Sequence, residues 1–122
     1  MVKKKISVLF CSILFLFILS APLKASAVNI GEKDFYDSYN TLLSPYASKA
    51  IRSKLGADRS YSLTDAKILN IVRLSEGSFD FKVTVQYRTY TGAHNPPESL
   101  ATIIFKVDAS GVKVLDFKNR NI

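Results

Sequence analysis

The chain has 122 residues, enough for one compact domain, and a formal net charge of +7. Four of its 17 basic residues lie within residues 1–27, which hold no acidic residue, so residues 28–122 carry 13 basic and 10 acidic side chains. The resulting net charge of +3 excludes a strongly basic nucleic-acid-binding body, and the length excludes a multidomain assembly. We therefore expect no nucleic acid among the partners.

The N-terminal segment has three parts. Residues 1–5 are basic, residues 6–23 are uncharged and rich in Leu, Ile and Phe, and the small residues Ala25-Ser26-Ala27 follow. This order is typical of a secretory signal peptide, with cleavage expected after Ala27. An uncleaved membrane anchor is the alternative, because 18 uncharged residues approach the length that spans a bilayer. The sequence thus predicts a signal peptide over residues 1–27 and a single secreted domain over residues 28–122, without a stable transmembrane anchor after cleavage.

The residue types present exclude several chemistries. The only cysteine, Cys11, lies in the apolar run, so the exported domain has none and depends on its core alone, a feature typical of Gram-positive exported proteins. The single histidine excludes His/Cys metal clusters, and neither a phosphate-binding loop, a dinucleotide glycine motif nor a G-x-S-x-G elbow is found. We expect no metal, no cofactor and no catalytic residue, and hence no enzyme.

Apolar spacing predicts helices at the start of the domain. Phe35, Tyr39, Leu42 and Leu43 follow a helical period and predict a helix over residues 32–43. Ser44-Pro45 is typical of a helix start, which places a second helix over residues 45–55 before the stop signal Gly56. One helix kinked at Pro45 is the alternative. The inner stripe of the second helix is predicted to comprise Tyr46, Ala47, Ala50, Ile51 and Leu55.

After Gly56 the period changes to two. Strands are predicted over residues 66–74, 79–88, 100–107 and 112–118, with a tight turn over residues 108–111. The first has apolar residues on both faces, which favours a central position; the second alternates cleanly, with Phe79, Phe81, Val83, Val85 and Tyr87 on its inner face. The predicted class is α+β, with N-terminal helices packed on a four-stranded, mainly antiparallel sheet, as in cystatin-like or NTF2-like layouts.

Two candidate sites emerge. Residues 92–99 are predicted to form a loop, because two prolines cannot continue a central strand ladder. Within it, a candidate recognition loop presents an imidazole and an amide; the alternative is a connection shaped by its glycine and prolines. A candidate basic patch at the end of the second helix suits an anionic cell-wall polymer or lipid headgroups; the alternative is a solvated helix end. The loop comprises Gly92, His94, Asn95, Pro96 and Pro97, and the patch comprises Lys49, Arg52, Lys54 and Arg59.

Several strings carry a family resemblance: Leu42-Leu43-Ser44-Pro45-Tyr46, Tyr61-Ser62-Leu63, Asp65-Ala66-Lys67-Ile68, Gly92-Ala93-His94-Asn95-Pro96-Pro97 and Gly111-Val112-Lys113-Val114. Through them the chain resembles the domain of unknown function 3888 family, small secreted proteins of Bacillus-type bacteria. That resemblance implies export and brings no activity, cofactor or catalytic residue. A weaker similarity links the hairpin over residues 105–115 to peptidase-inhibitory propeptide modules of the PepSY type.

These observations lead to one expected function and two alternatives. We expect a non-catalytic, extracytoplasmic binding or interaction module whose partner is an extracellular protein or a cell-envelope component. An inhibitor or modulator of an extracellular peptidase is the first alternative, motivated by the cystatin-like layout. A small hydrolase that uses His94 is the second.

Overall fold

The computed structural model describes residues 30–122. An N-terminal helix packs against a five-stranded sheet, which confirms the α+β class. The predicted signal peptide lies outside the described residues. In chain order the elements are α1 (Glu32–Leu55), β1 (Arg59–Tyr61), a short 3-10 helix (Leu63–Asp65), β2 (Lys67–Arg73), β3 (Phe81–Thr91), β4 (Asn95–Asp108) and β5 (Gly111–Asn121).

All strand pairs in the sheet are antiparallel. On one side β3 pairs with β4 and β4 with β5; on the other side β3 pairs with β1 at its C-terminal end and with β2 at its N-terminal end. One lateral edge is therefore β5, and the other is β1 followed by β2. The prediction of four strands was wrong by one, because β1 has three residues and shows too little alternation to be recognised.

The prediction of two helices was wrong, since α1 is one helix with Pro45 inside it. Its buried stripe, Asn40, Leu43, Ala47 and Ile51, continues across the proline at helical spacing. The Ser44 hydroxyl does not cap a second helix but lies 2.7 Å from the Tyr61 hydroxyl. Proline in a helix interior costs about 3 kcal/mol, and burial of the continuous stripe offsets that cost.

The core lies between α1 and one face of β3 and β4. The alternation predicted for β3 is confirmed for Val83, Val85 and Tyr87, which are fully buried on the face towards α1. Ala101, Ile103 and Phe105 continue this face across β4. Phe79 was wrongly assigned to it: the residue precedes β3 and is 76% exposed.

The central position predicted for residues 66–74 was also wrong. β2 pairs with β3 alone, so it lies at the edge of the sheet. Most of its side chains are exposed, including Leu69, Ile71 and Val72. Apolar residues on both faces had indicated burial on both faces; in the fold they remain accessible on an edge strand.

The predicted loop over residues 92–99 is shorter than expected. β4 begins at Asn95, which pairs with Thr91, so only residues 92–94 connect β3 and β4. Pro96 and Pro97, joined by a cis peptide bond, lie where the register shifts between Thr89 and Thr91. Such a bulge interrupts the ladder, and proline has no backbone N–H to contribute there.

The tight turn predicted over residues 108–111 is confirmed, with Ala109 and Ser110 connecting β4 and β5. Asp108 Oδ1 accepts hydrogen bonds from the Ser110 backbone N–H at 2.8 Å and from the Ser110 hydroxyl at 2.5 Å. These bonds hold the pKa of Asp108 below its ordinary value. The aspartate therefore stabilises the turn in its charged form.

Asn40 is a polar residue in the buried stripe of α1. Its side chain is 1% exposed, and neither amide atom has a hydrogen-bond partner within residues 30–122. We expect Asn40→Leu, a change of similar volume, to raise the free energy of unfolding by about 1–3 kcal/mol, because it removes a buried, unpaired amide. Urea denaturation measures the change. A decrease would mean that the native amide has a partner, such as a buried water, and would contradict this account.

Candidate functional site

The candidate recognition loop forms the tight end of the β3–β4 hairpin. Gly92 has a φ of 56° and His94 a φ of 62°, so both adopt left-handed backbone conformations. The His94 ring stacks on the Tyr90 ring, with 3.9 Å between their centroids. Asn95, Pro96 and Pro97 are exposed at the start of β4. The imidazole is therefore held against the sheet rather than extended from a free loop.

A substitution at Gly92 tests the geometry of this hairpin end. A Cβ at that position would meet only ordinary van der Waals contacts, so the backbone conformation alone sets the cost. We expect Gly92→Ala to lower the free energy of unfolding by about 1 kcal/mol. Gly92→Asn is the matched control, because Asn adopts this conformation more readily. Equal losses in urea denaturation would contradict a backbone origin.

The structure divides the candidate basic patch. Lys49, Arg52 and Lys54 are exposed along the C-terminal half of α1. Arg59 is instead buried, and its guanidinium donates a hydrogen bond to the Pro97 carbonyl oxygen. A residue of the candidate basic patch therefore holds the candidate recognition loop in place. The sequence had predicted the two sites as separate.

A third surface was not predicted: an open apolar groove between the N-terminal half of α1 and β2. It has a volume of about 590 Å³. We call it the α1–β2 groove and define it by Phe35, Tyr36, Tyr39, Leu42 and Ile71. Leu42 is 69% exposed and Ile71 is 50% exposed, so large apolar side chains face solvent here. Because large exposed apolar patches on proteins are often interaction sites, this groove is a candidate functional surface.

Tyr36 connects the two walls of the groove. Its hydroxyl accepts a hydrogen bond from the Ile68 backbone N–H at 2.7 Å and lies 3.5 Å from the Ala66 carbonyl oxygen. The start of β2 is thus fixed to α1, and its outward-facing N–H at Ile68 is already satisfied. The remainder of the outer edge has no strand partner within residues 30–122.

That uncovered edge is unusually apolar. Leu69, Ile71, Val72 and the following Leu74 are all exposed, while charged side chains occur only at the two ends of the strand, at Lys67 and Arg73. Natural edge strands are commonly protected by charges, prolines or coverage by another element. The edge of β2 carries a register shift between Ile68 and Asn70 and a charge at each end, but its middle is apolar and uncovered, so it can pair with the backbone of another chain.

Sequence reasoning missed this groove because it assigned every periodic apolar residue to the core. Phe35, Leu42 and Tyr46 fit the helical period, yet all three are exposed. Within the buried stripe of α1, the predictions for Leu43, Ala47 and Ile51 are confirmed, and Asn40 was missed because it had no apolar signal. The usable signal was an excess: α1 and β2 carry more apolar residues than one face of each can bury.

Comparison with known proteins gives one match. A family model described as "Protein of unknown function (DUF3888)" matches residues 35–121, which include all five strands and nearly all of α1. No curated protein and no solved structure matches the chain. Among the helices in the described part of the chain, none has the length and hydropathy needed to cross a membrane.

Proposed function

Since the chain belongs to the DUF3888 family of proteins of unknown function, we propose that it is a secreted, non-catalytic binding module that receives an extended segment of a protein partner. The observation that carries the proposal is the α1–β2 groove beside the uncovered edge of β2. Export rests on the three-part N-terminal segment of the sequence. The non-catalytic character rests on the lack of a recognisable nucleophile–base pair in the sequence.

The proposed recognition mode is strand addition. The partner backbone pairs with the outer edge of β2, which supplies affinity that does not depend on the partner sequence. Side chains of the added strand alternate in direction, so every second one points into the groove against Phe35, Leu42 and Ile71. The preference is therefore for apolar residues at alternate positions of the partner.

Charge defines the partner further. Lys67 and Arg73 stand at opposite ends of β2, six positions apart. β2 carries two positive charges and no acidic residue, so pairing two β2 edges would bring only like charges together, which is destabilising. We therefore propose a different chain as the occupant, with alternating apolar residues and acidic residues at its ends.

The test uses a library of random linear peptides displayed on phage and the protein as produced from its full-length gene. The proposal predicts enrichment of peptides with alternating apolar residues and acidic ends. Their binding should shift NMR signals of β2 and of the N-terminal half of α1. Shifts confined to β5 or to the residues 92–97 loop would contradict the proposal. A concentration-dependent dimer in sedimentation that buries β2 would also contradict it.

A second candidate, an inhibitor or modulator of an extracellular peptidase, is favoured by the order of elements. A helix precedes an antiparallel sheet and packs against it, an order that is compatible with the expected cystatin-like layout. Titration against a panel of secreted peptidases tests it: at least one should lose activity in proportion to the added protein. If no peptidase is affected and peptides bind at β2, the inhibitor function is ruled out and the binding module is the one candidate that is kept.

A further inference from the structure

A second cavity lies at the other end of the molecule's helix–sheet interface. It is about 320 Å³ in volume and opens between the C-terminal half of α1 and β1. We call it the α1–β1 cavity. Its polar lining consists of Ser44, Ser48 and Arg52 from α1 and Arg59, Ser60 and Tyr61 from β1. It shares no lining residue with the α1–β2 groove, so an inference about it is independent of the function proposed above.

The main observation is that Arg59 is buried and forms no ion pair among the described residues. The residue is only 8% exposed, and its guanidinium donates to the Pro97 carbonyl oxygen. Within residues 30–122, no carboxylate lies within ion-pair distance of it. Buried charges in proteins are normally paired, because an unpaired charge loses its hydration without compensation. A guanidinium has five N–H donors, so one carbonyl leaves most of its capacity for another acceptor.

Arg52 brings a second positive charge to the same cavity. It lies in the last turn of α1 and, among the described residues, also forms no ion pair. Two arginines that form no ion pair among the described residues therefore contribute to the lining of one cavity. Arginine is the residue that most often binds oxyanions, because its planar fork matches two oxygen atoms at once.

Three of the four hydroxyl groups in the lining form one hydrogen-bonded cluster. The Tyr61 hydroxyl lies 2.7 Å from Ser44 Oγ, 3.2 Å from Ser48 Oγ and 3.1 Å from the Ser44 carbonyl oxygen. Hydroxyl hydrogens rotate freely to suit their acceptors. The Ser48 hydroxyl, which makes the longest of these contacts, is thus free to donate to a ligand while Tyr61 keeps its bonds to Ser44.

We propose that the α1–β1 cavity binds the phosphoryl group of a small phosphate ester, with Arg52 and Arg59 neutralising its charge and Ser48 donating to a third oxygen. Donors on two walls suit a tetrahedral group with three free oxygens better than a planar carboxylate. At about 30 Å³ for each water, the cavity has room for a phosphate and a small organic substituent. The ester is either free in solution or part of a lipid headgroup.

The experiment measures binding to the protein as produced from its full-length gene. Glycerol 3-phosphate and inorganic phosphate are titrated while NMR signals of Ser48, Arg59 and Tyr61 are followed, with acetate as the carboxylate comparison. Glycerol 3-phosphate should saturate these shifts, and acetate should not. Vesicles of phosphatidylglycerol in phosphatidylcholine identify the source: binding to them as well assigns a lipid headgroup, and binding of the soluble ester alone assigns a free ester.

Substitutions distinguish binding in the α1–β1 cavity from general electrostatic attraction of the phosphate to a basic surface. Arg52→Gln removes an exposed charge from the cavity wall and should weaken glycerol 3-phosphate binding about tenfold. Lys54→Gln removes the same charge from the same helix outside the cavity lining and should change binding less than twofold at physiological salt. Arg59 is left unchanged in this test, because it also holds Pro97. Equal losses for Arg52→Gln and Lys54→Gln, or the lack of saturable shifts with either phosphate probe, would overturn the proposal.

Discussion

Ile71→Asp is expected to weaken binding of the β2-directed peptides by about 30-fold or more. Ile71 lies in the middle of β2 with its side chain in the α1–β2 groove, where it is half exposed in the free protein. Covering the exposed half of an isoleucine contributes about 1 kcal/mol. A carboxylate at the same position would be desolvated by the partner, which costs at least another 1–3 kcal/mol. Isothermal titration with an enriched peptide measures the loss.

Leu115→Asp is the matched control for this variant. Leu115 is also an exposed apolar residue on an edge strand, but it lies on β5 at the opposite edge of the sheet. Leu115→Asp introduces the same charge as Ile71→Asp and should leave peptide affinity within twofold of that of the parent protein. Both residues are exposed, so neither substitution should change the unfolding free energy by more than about 0.5–1 kcal/mol. Equal weakening by the two variants would show that charge alone, rather than the groove, governs binding.

Phe105→Ala has the largest expected effect on stability. Phe105 is fully buried in β4, paired with Val83 of β3 and with Val114 of β5, so it stands at the centre of the sheet. Removing a buried phenyl ring leaves a cavity and costs about 3–5 kcal/mol. A domain of this size is stabilised by only about 5–15 kcal/mol in total. The variant should therefore show a much lower urea midpoint, or should be partly unfolded without denaturant.

Phe79→Ala tests the assignment of the core with a phenylalanine that lies outside it. Phe79 has the same side chain but is exposed, and its nearest aromatic interaction is with the Arg73 guanidinium 5.9 Å from its ring centroid. We expect a loss of no more than about 0.5–1 kcal/mol in urea denaturation. A loss comparable to that of Phe105→Ala would contradict the placement of Phe79 outside the core.

The sheet was predictable where local pattern and tertiary environment agree. In β3, Val83, Val85 and Tyr87 alternate with polar residues, and the fold buries one face of that strand, so the period alone identifies the core side. The same reasoning failed for β2, because a period cannot reveal how many neighbours a strand has. Its two apolar faces are consistent with a central strand and with an uncovered edge strand alike.

The helix illustrates a different limit. Ser44-Pro45 is a strong local signal for a helix start, and it was overridden by contacts that the local sequence does not contain. The Tyr61 hydroxyl, 17 residues away, takes the Ser44 hydroxyl as a partner. Leu43 and Ala47 are buried on either side of Pro45 by the same sheet face. Long-range packing therefore decided between the two alternatives that the sequence left open.

The candidate sites were partly visible in the sequence. In the sequence, Gly92, Pro96 and Pro97 indicated the end of the β3–β4 hairpin, and the cations of the candidate basic patch indicated the end of α1. Their connection was not visible, because the Arg59–Pro97 hydrogen bond joins residues 38 positions apart. The groove was hidden for a further reason: Phe35 and Leu42 are apolar residues at helical spacing, and their exposure depends on how α1 is rotated on the sheet.

The proposal that β2 receives a partner strand is tested most directly by amide hydrogen exchange. Exchange rates of the β2 and β5 backbone amides are measured by NMR with and without an enriched peptide. Strand addition predicts slower exchange at the β2 amides that point away from β3, except Ile68, whose N–H is already bonded to Tyr36, and unchanged rates along β5. Peptide binding without slower exchange in β2, or with slower exchange at β5, would contradict it.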